Sequence, residues 1–285
     1  MTVRPRCWGV YRELAHSPGR ETDDALILRA TARELESLGF EVELKSPDEL
    51  PETADASDVP PYLFVMCEQV PTVERLAAWE RQGVRIVNRP EGIRNTDRER
   101  TIARFASGKV AFPKSVLVGT AGRLPDTPGF PCWVKRGDVH ATEEGDVSLA
   151  ADSRELDAAL ARLCSRGIAR AVVQEHVPGD LIKFYGVAGE ADAAPLSWFQ
   201  WFYHRDQKLS NFAFDAERLR ALVGRGAGAL GLEVFGGDAI VSSGGEIVLI
   251  DLNAWPSFAL FRPAASAAIA RCVAARFKKE VGVPR

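Results

Sequence analysis

The chain has 285 residues, 46% of them apolar and 26% charged, with 36 Lys and Arg against 39 Asp and Glu for a net charge of −3. This composition can build a real core and excludes global disorder. Its slightly acidic balance argues against a protein whose main task is coating nucleic acid. No run of about 18 apolar residues occurs, so no membrane span is expected. Met1–Val10 lacks the apolar stretch of a signal peptide. Cys7, Cys67, Cys132, Cys164 and Cys272 are scattered and form no Cys-x-x-Cys pair. That pattern suggests reduced thiols in a cytoplasmic protein.

Strands and helices alternate over the first ninety residues. Cys7–Tyr11, Phe40–Leu44, Tyr62–Cys67 and Val84–Val87 read as strands, and Asp23–Leu38 and Val73–Arg81 as helices. Gly39 and Gly83 follow the helices, as left-handed C′ residues do. The layout is α/β with a parallel sheet. Thr96 and Glu99 have capping-box spacing, which predicts a helix from Thr96 to about Ala106. Ser107–Pro113 reads as a boundary. The remainder is α+β, with strands at Ser115–Val118, Pro131–Lys135, Val147–Ala150, Ala171–His176, Leu181–Val187 and Leu196–Tyr203. A helix over Asp215–Leu230 ends at Gly231. Glu233–Val241 and Glu246–Asn253 then form a hairpin over Ser242–Gly245, and an Ala-rich helix spans Pro263–Lys278.

The hairpin carries the sharpest chemical pattern. If Val241 faces Glu246, then Asp238 faces Leu249, and Leu249, Asp251 and Asn253 share one face with Asp238 diagonal to them. Two carboxylates and an amide oxygen suit Mg²⁺ bridged to phosphates. Two solvent-facing acids on a half-exposed sheet are the plain alternative. Lys135 ends an apolar strand, followed by a polar loop with His140. Gln174-Glu-His-Val-Pro-Gly-Asp180 is a strand exit whose free backbone groups can hold an adenine edge. Lys183 lies inside an apolar run and needs an anionic partner or an exposed face. Arg85, Arg89, Arg94, Arg98, Arg100 and Arg104 form a basic stretch, suited either to a polyanionic acceptor or to pairing with Glu91, Asp97 and Glu99. The aromatic run Trp198–Tyr203 suits core or an oligomer contact such as a homodimer.

Lys135, Gln174-Glu-x-Val-x-Gly-Asp180, the strand around Lys183 and Asp238…Asp251-x-Asn253 agree in kind and order with the ATP-grasp superfamily, which the chain resembles over about residues 107–281. Lys135 with His140 five residues on, Lys183-Phe-Tyr-Gly-Val187 and Ile250-Asp-Leu-Asn-Ala-Trp-Pro256 are most similar to the inositol-trisphosphate kinases, although Ser257 stands where those kinases have Gly. The resemblance implies an N-terminal Rossmann-like domain (1–106) before an ATP-grasp central lobe (107–176) and C-terminal lobe (177–285).

It further implies ATP and Mg²⁺ as cofactors. Lys135 would contact the α and β phosphates, with Lys109 as a further basic contact. Gln174, Glu175 and Val177 would lie at adenine and Asp180 at ribose. Asp238, Asp251 and Asn253 would hold the metal. His140, Lys183 and Arg262 would face a small anionic or polyol acceptor. The implied activity is phosphoryl transfer to a hydroxyl of a polyol or inositol phosphate. The alternatives are a carboxylate–amine ligase working through an acyl phosphate, and a non-catalytic nucleotide-binding protein.

Overall fold

A computed structural model describes residues 4–16, 19, 21–53, 55–122, 127–137, 144–189 and 196–278. Its first sheet has strands β1 (Arg6–Val10), β2 (Glu41–Lys45), β3 (Tyr62–Val65) and β4 (Arg85–Val87) in the order β2-β1-β3-β4, all parallel. Alternation along the strands sends Cys7 and Phe64 to one side and Trp8, Leu63 and Val65 to the other. Helix α1 (Glu21–Ser37) covers the first side, and α2 (Val70–Arg81) covers the second through Val73, Leu76 and Trp79. A short α3 (Pro90–Arg94) precedes α4 (Arg98–Ser107). The expected start at Thr96 is corrected here. Asp97 occupies the N-cap position, the Thr96 hydroxyl donates back to the Ile93 carbonyl, and Glu99 pairs with Arg170 instead of closing a capping box.

The second sheet is antiparallel, with β5 (Ser115–Gly119), β6 (Cys132–Arg136), β7 (Val147–Ala150) and β8 (Arg170–Glu175) ordered β5-β8-β6-β7. Helix α5 (Ser153–Ser165) covers one face with Leu156, Leu160 and Leu163. No helix was expected there. The signal lies in Asp152, which accepts from the Glu155 amide as an N-cap, and in the apolar residues spaced three and four apart that follow.

The third sheet is also antiparallel: β9 (Asp180–Val187), β10 (Trp198–Tyr203), β11 (Val234–Val241) and β12 (Ile247–Ala254), ordered β10-β9-β11-β12. Helix α6 (Ala216–Leu230) packs Leu219, Leu222 and Ala227 against its inner face. Asp215 caps α6 by accepting from the amides of Glu217 and Arg218, and Gly231 closes it at φ 76°. Helix α7 (Arg262–Lys278) returns to the first sheet beside α1. All five cysteines are free; Cys7, Cys67, Cys132 and Cys272 are buried and Cys164 is exposed. Among the described residues no helix is long and apolar enough to cross a membrane.

Candidate active site between the second and third sheets

The hairpin register differs from the expectation, and the difference builds the site. Val241 pairs with Ile247 and Ala239 with Leu249, but Asp238 pairs with Asp251. A bulge therefore accommodates Ile250 as the extra residue. Leu249 points into the core with Leu252, while Ile250 and Asp251 turn to the cleft, so Leu249 and Asp251 do not share a face. On the other side, Asp238 pairs with Lys183. Lys183, Asp238 and Asp251 thus form one row across β9, β11 and β12. The Lys183 ammonium donates to both oxygens of Asp238 at 2.9 and 3.3 Å. Asn253 donates its amide to Asp251 at 3.1 Å, while its own Oδ1 is buried without a partner. Burial pushes the Asp238 carboxyl above its ordinary value; Lys183 pulls it back and Asp251 adds to the rise.

Across the cleft, Lys135 stands on β6 and donates to Gln174 Oε1 at 2.7 Å. Gln174 is buried, and its Nε2 donates to the Ser115 hydroxyl, so the amide is fixed and aims the lysine. Burial lowers the Lys135 pKa; Asp251 and Asp238 oppose that effect and Arg98 reinforces it. Lys135, Gln174, Arg98, Phe112, Ile250 and Asp251 line one small cavity. Arg98 also donates to the Arg136 carbonyl. The sequence reading placed Arg98 only within a basic stretch; its position on the first turn of α4, facing the lysine strand, makes it a cleft residue.

Asn253 gives a direct test of whether a cation fits. A buried amide oxygen without a partner beside two carboxylates is a hard-oxygen donor set suited to Mg²⁺. Among the described residues no three His, Cys, Asp or Glu converge on a metal. The protein donors would therefore be Asp238, Asp251 and Asn253, leaving the other positions to ligand oxygens.

Several expected residues lie elsewhere. Asp180 is buried, and its two oxygens accept from the amides of Ser210 at 2.7 Å and Phe212 at 2.9 Å. It ties down the loop before α6, so the expected ribose contact is corrected. Arg262 pairs with Asp23 of α1 at 2.7 Å and does not line the cleft, which corrects its placement at the acceptor. Lys109 is exposed, with φ 50°, just past the end of α4 and outside the cavities around Lys135 and Lys183. Glu175 is exposed and its carboxylate accepts from the Lys114 amide. Val177 is half-buried on the exit from β8. Between them, the His176 ring nitrogen accepts from the Trp133 indole at 3.1 Å. His140 lies outside the described residues.

A chamber of about 560 Å³ opens beside the lysine–carboxylate row. Lys183, Asp238 and Asn253 lie at one end, and Arg12, Asp24 and Glu68 from the first sheet's carboxyl edge at the other. Arg12 is buried; it reaches Asp24 at 3.1 Å, pairs with Glu68 and donates to the carbonyls of Ala254 and Trp255. Burial works against its charge, but Glu68, Asp24 and Glu13 outweigh it and hold the guanidinium above its ordinary pKa. These residues were missed in the sequence. The available signal was position: a residue just beyond a parallel strand's carboxyl end faces the crevice where ligands bind.

The three-sheet fold is one this chain shares with solved ATP-grasp structures. The chain superimposes on a RimK domain ATP-grasp protein from Sphaerobacter thermophilus with a TM-score of 0.68 and 17% identity, covering 94% of this chain and 99% of that one. D-alanine–D-alanine ligase from Bacillus anthracis, complexed with ATP, matches with a TM-score of 0.68 and 14% identity, covering 96% and 99%. VanG D-Ala:D-Ser ligase from Enterococcus faecalis matches with a TM-score of 0.69 and 13% identity, covering 96% and 100%. At these identities the likeness is one of fold. No family model matches the sequence, and no curated protein matches it.

Proposed function

We propose that the chain is an ATP-dependent ligase that joins a carboxylate to an amine through an acyl phosphate. A carboxylate oxygen bonds to the γ-phosphorus of ATP as its bond to ADP breaks. The amine nitrogen then bonds to the acyl carbon, phosphate leaves and the amine loses a proton. In this reading residues 1–106 are the Rossmann-like domain that precedes the two lobes at 107–176 and 177–285. Lys135, aimed by Gln174, and Arg98 hold phosphate oxygens. Asp238, Asp251 and Asn253 hold Mg²⁺, which when bound neutralises phosphate charge. Lys183 faces the transferred group. Phosphoryl transfer asks a protein for positioning and charge neutralisation.

The observation that carries the proposal is the row Lys183–Asp238–Asp251 facing Lys135 across the cleft. The charge of the chamber favours a ligase over the inositol phosphate kinase expected from sequence. Arg12, Lys183 and Arg205 stand against Asp24, Glu68, Asp206 and Asp238 on its lining, three cations against four carboxylates, which suits a polyphosphate poorly. Four arginines of the basic stretch are committed elsewhere: Arg104 pairs with Glu91, Arg89 with Glu80 and Arg94 with Glu74, and Arg85 donates to the Phe277 carbonyl. The solved structures of this fold named above include two ligases.

Incubation with Mg-ATP, hydroxylamine and a panel of carboxylic acids tests the proposal. ADP together with a hydroxamate is expected. A new phosphomonoester with no hydroxamate would move the reading to a kinase. Binding of Mg-ATP without turnover on any acceptor would leave a nucleotide-binding protein.

A further inference from the structure

We infer that the acceptor of this site carries an aromatic or bulky apolar group, seated on a wall of Tyr185, Phe202 and Leu260 beside Gly236. The inference rests on the reading of the chamber as the acceptor side of an ATP-dependent enzyme.

Period-two alternation places Tyr185 on the same face as Lys183, and Phe202 is the direct cross-strand partner of Lys183. Two of the rings that line the chamber therefore flank the lysine facing the reacting group. Tyr185 and Phe202 are half-buried and lie 5.5 Å apart between ring centroids. Behind them Phe258 and Phe261 back the wall, with centroids 4.9 Å from Tyr185 and 6.0 Å from Phe202. The front rings are thus held in place before any ligand arrives. Leu260 continues the wall to the mouth and is 49% exposed.

Gly236 explains how the wall lies so low. A Cβ at that position would come within 2.6 Å of Pro256 Cγ and 2.8 Å of Tyr185 Cδ1. Without one, the Tyr185 ring and Pro256 close on β11 at Gly236, whose cross-strand partners are Tyr185 and Asn253. The result is an apolar strip next to the Lys183–Asp238–Asn253 end, within a volume of about 560 Å³. That size suits a ligand larger than a two- or three-carbon acid. A half-exposed ring pair and leucine gain from being covered, and a methyl-bearing acid leaves most of that surface wet.

The test uses the full chain and matched probes: acetate against phenylacetate, and alanine against phenylalanine in both enantiomers. Binding is read by saturation-transfer NMR with competition inside each pair, and turnover by hydroxamate formation with Mg-ATP. The phenyl-bearing member should bind about tenfold or more tightly, within the discrimination apolar pockets achieve. Leu260→Ala, a half-exposed change that leaves the fold in place, and Phe202→Leu should each reduce that preference several-fold, with melting temperature confirming folded protein. Equal binding of both members, or no binding of any phenyl-bearing probe, overturns the inference. Hydroxamate from small acids without a phenyl preference sinks it while leaving the ligase reading standing. Phenyl-selective binding without hydroxamate from any acid keeps it and sinks the ligase reading.

Discussion

The two ends of the chamber handle charge in opposite ways. At the Arg12 end the guanidinium lies between Asp24 and Glu68 and on two carbonyls, and its pKa stands above the ordinary value. At the lysine–carboxylate end, and at Lys135 in the small cavity beside it, the direction reverses: burial lowers the Lys135 pKa, Asp238 is raised, and Asn253 Oδ1 has no partner. The first end is a finished ion-pair cluster that docks the first sheet onto the last strand of the third. The second keeps a buried amide oxygen without a partner beside a lysine and a carboxylate whose charged forms burial disfavours. Buried groups in that condition mark places where ligand charges complete the electrostatics.

The largest effect separating the ends should come from Asp251→Asn. Removing one of the carboxylates proposed to hold Mg²⁺ should lower ADP formation by about a thousandfold, in the range for losing one main electrostatic contact. Chemical denaturation should show stability little changed, because the repulsion Asp251 adds at Asp238 is offset by its attraction for Lys135. Unaltered turnover would remove the metal assignment.

Arg12→Met should do the reverse. It leaves Asp24 and Glu68 without their cation, and breaking a buried pair costs about 3–5 kcal/mol. A stability loss no larger than that of Asp251→Asn would break the comparison between the two ends.

Glu233 sharpens it from outside the cleft. Burial raises this carboxyl to about 7 against the pull of Arg276 and Arg89, and its Oε2 has no hydrogen-bond partner. Its folded pKa exceeds its unfolded one. The stabilisation is therefore complete below about pH 4.5 and is lost as pH rises to about 7. The shift corresponds to roughly 3 kcal/mol. Glu233→Gln should flatten stability across that window without changing the pH profile of turnover. If the unfolding free energy from urea titrations changes between pH 5 and pH 7.5 by the same amount in Glu233→Gln as in the parent, Glu233 titrates normally.

The contrast also explains what the sequence conveyed. Strand positions such as Val147–Ala150 and the cap at Gly231 were legible because alternation and a left-handed glycine are local signals. Lys135, Lys183, Asp238, Asp251 and Asn253 stand out in the sequence as charged and amide groups in apolar strands, and the structure brings them to neighbouring positions on the second and third sheets. The bulge was not legible. Ile247-Val-Leu-Ile250 is apolar throughout, so nothing in its pattern shows where the pleat slips by one residue. Asp180 misled for a related reason. A carboxylate after Pro-Gly reads as available, and its real partners, the amides of Ser210 and Phe212, lie thirty residues downstream. The Arg12 cluster joins segments more than two hundred residues apart, beyond the reach of any local pattern.

The smallest expected effect concerns how Lys135 is aimed. Gln174 accepts from the lysine and is itself held by Ser115, so it acts through Lys135 as a positioning residue. Gln174→Met keeps the volume and removes the acceptor. Supporting groups of this kind are worth roughly tenfold to a hundredfold. A rise of about tenfold in KM for ATP is expected, with a smaller change in kcat, because the lysine still reaches the phosphates but samples other rotamers first. Gln174→Glu should recover part of the loss, since a carboxylate still accepts from the ammonium. If both variants bind Mg-ATP as the parent does, the lysine is aimed by its strand alone, and the distinction between the finished and unfinished ends narrows to the carboxylates.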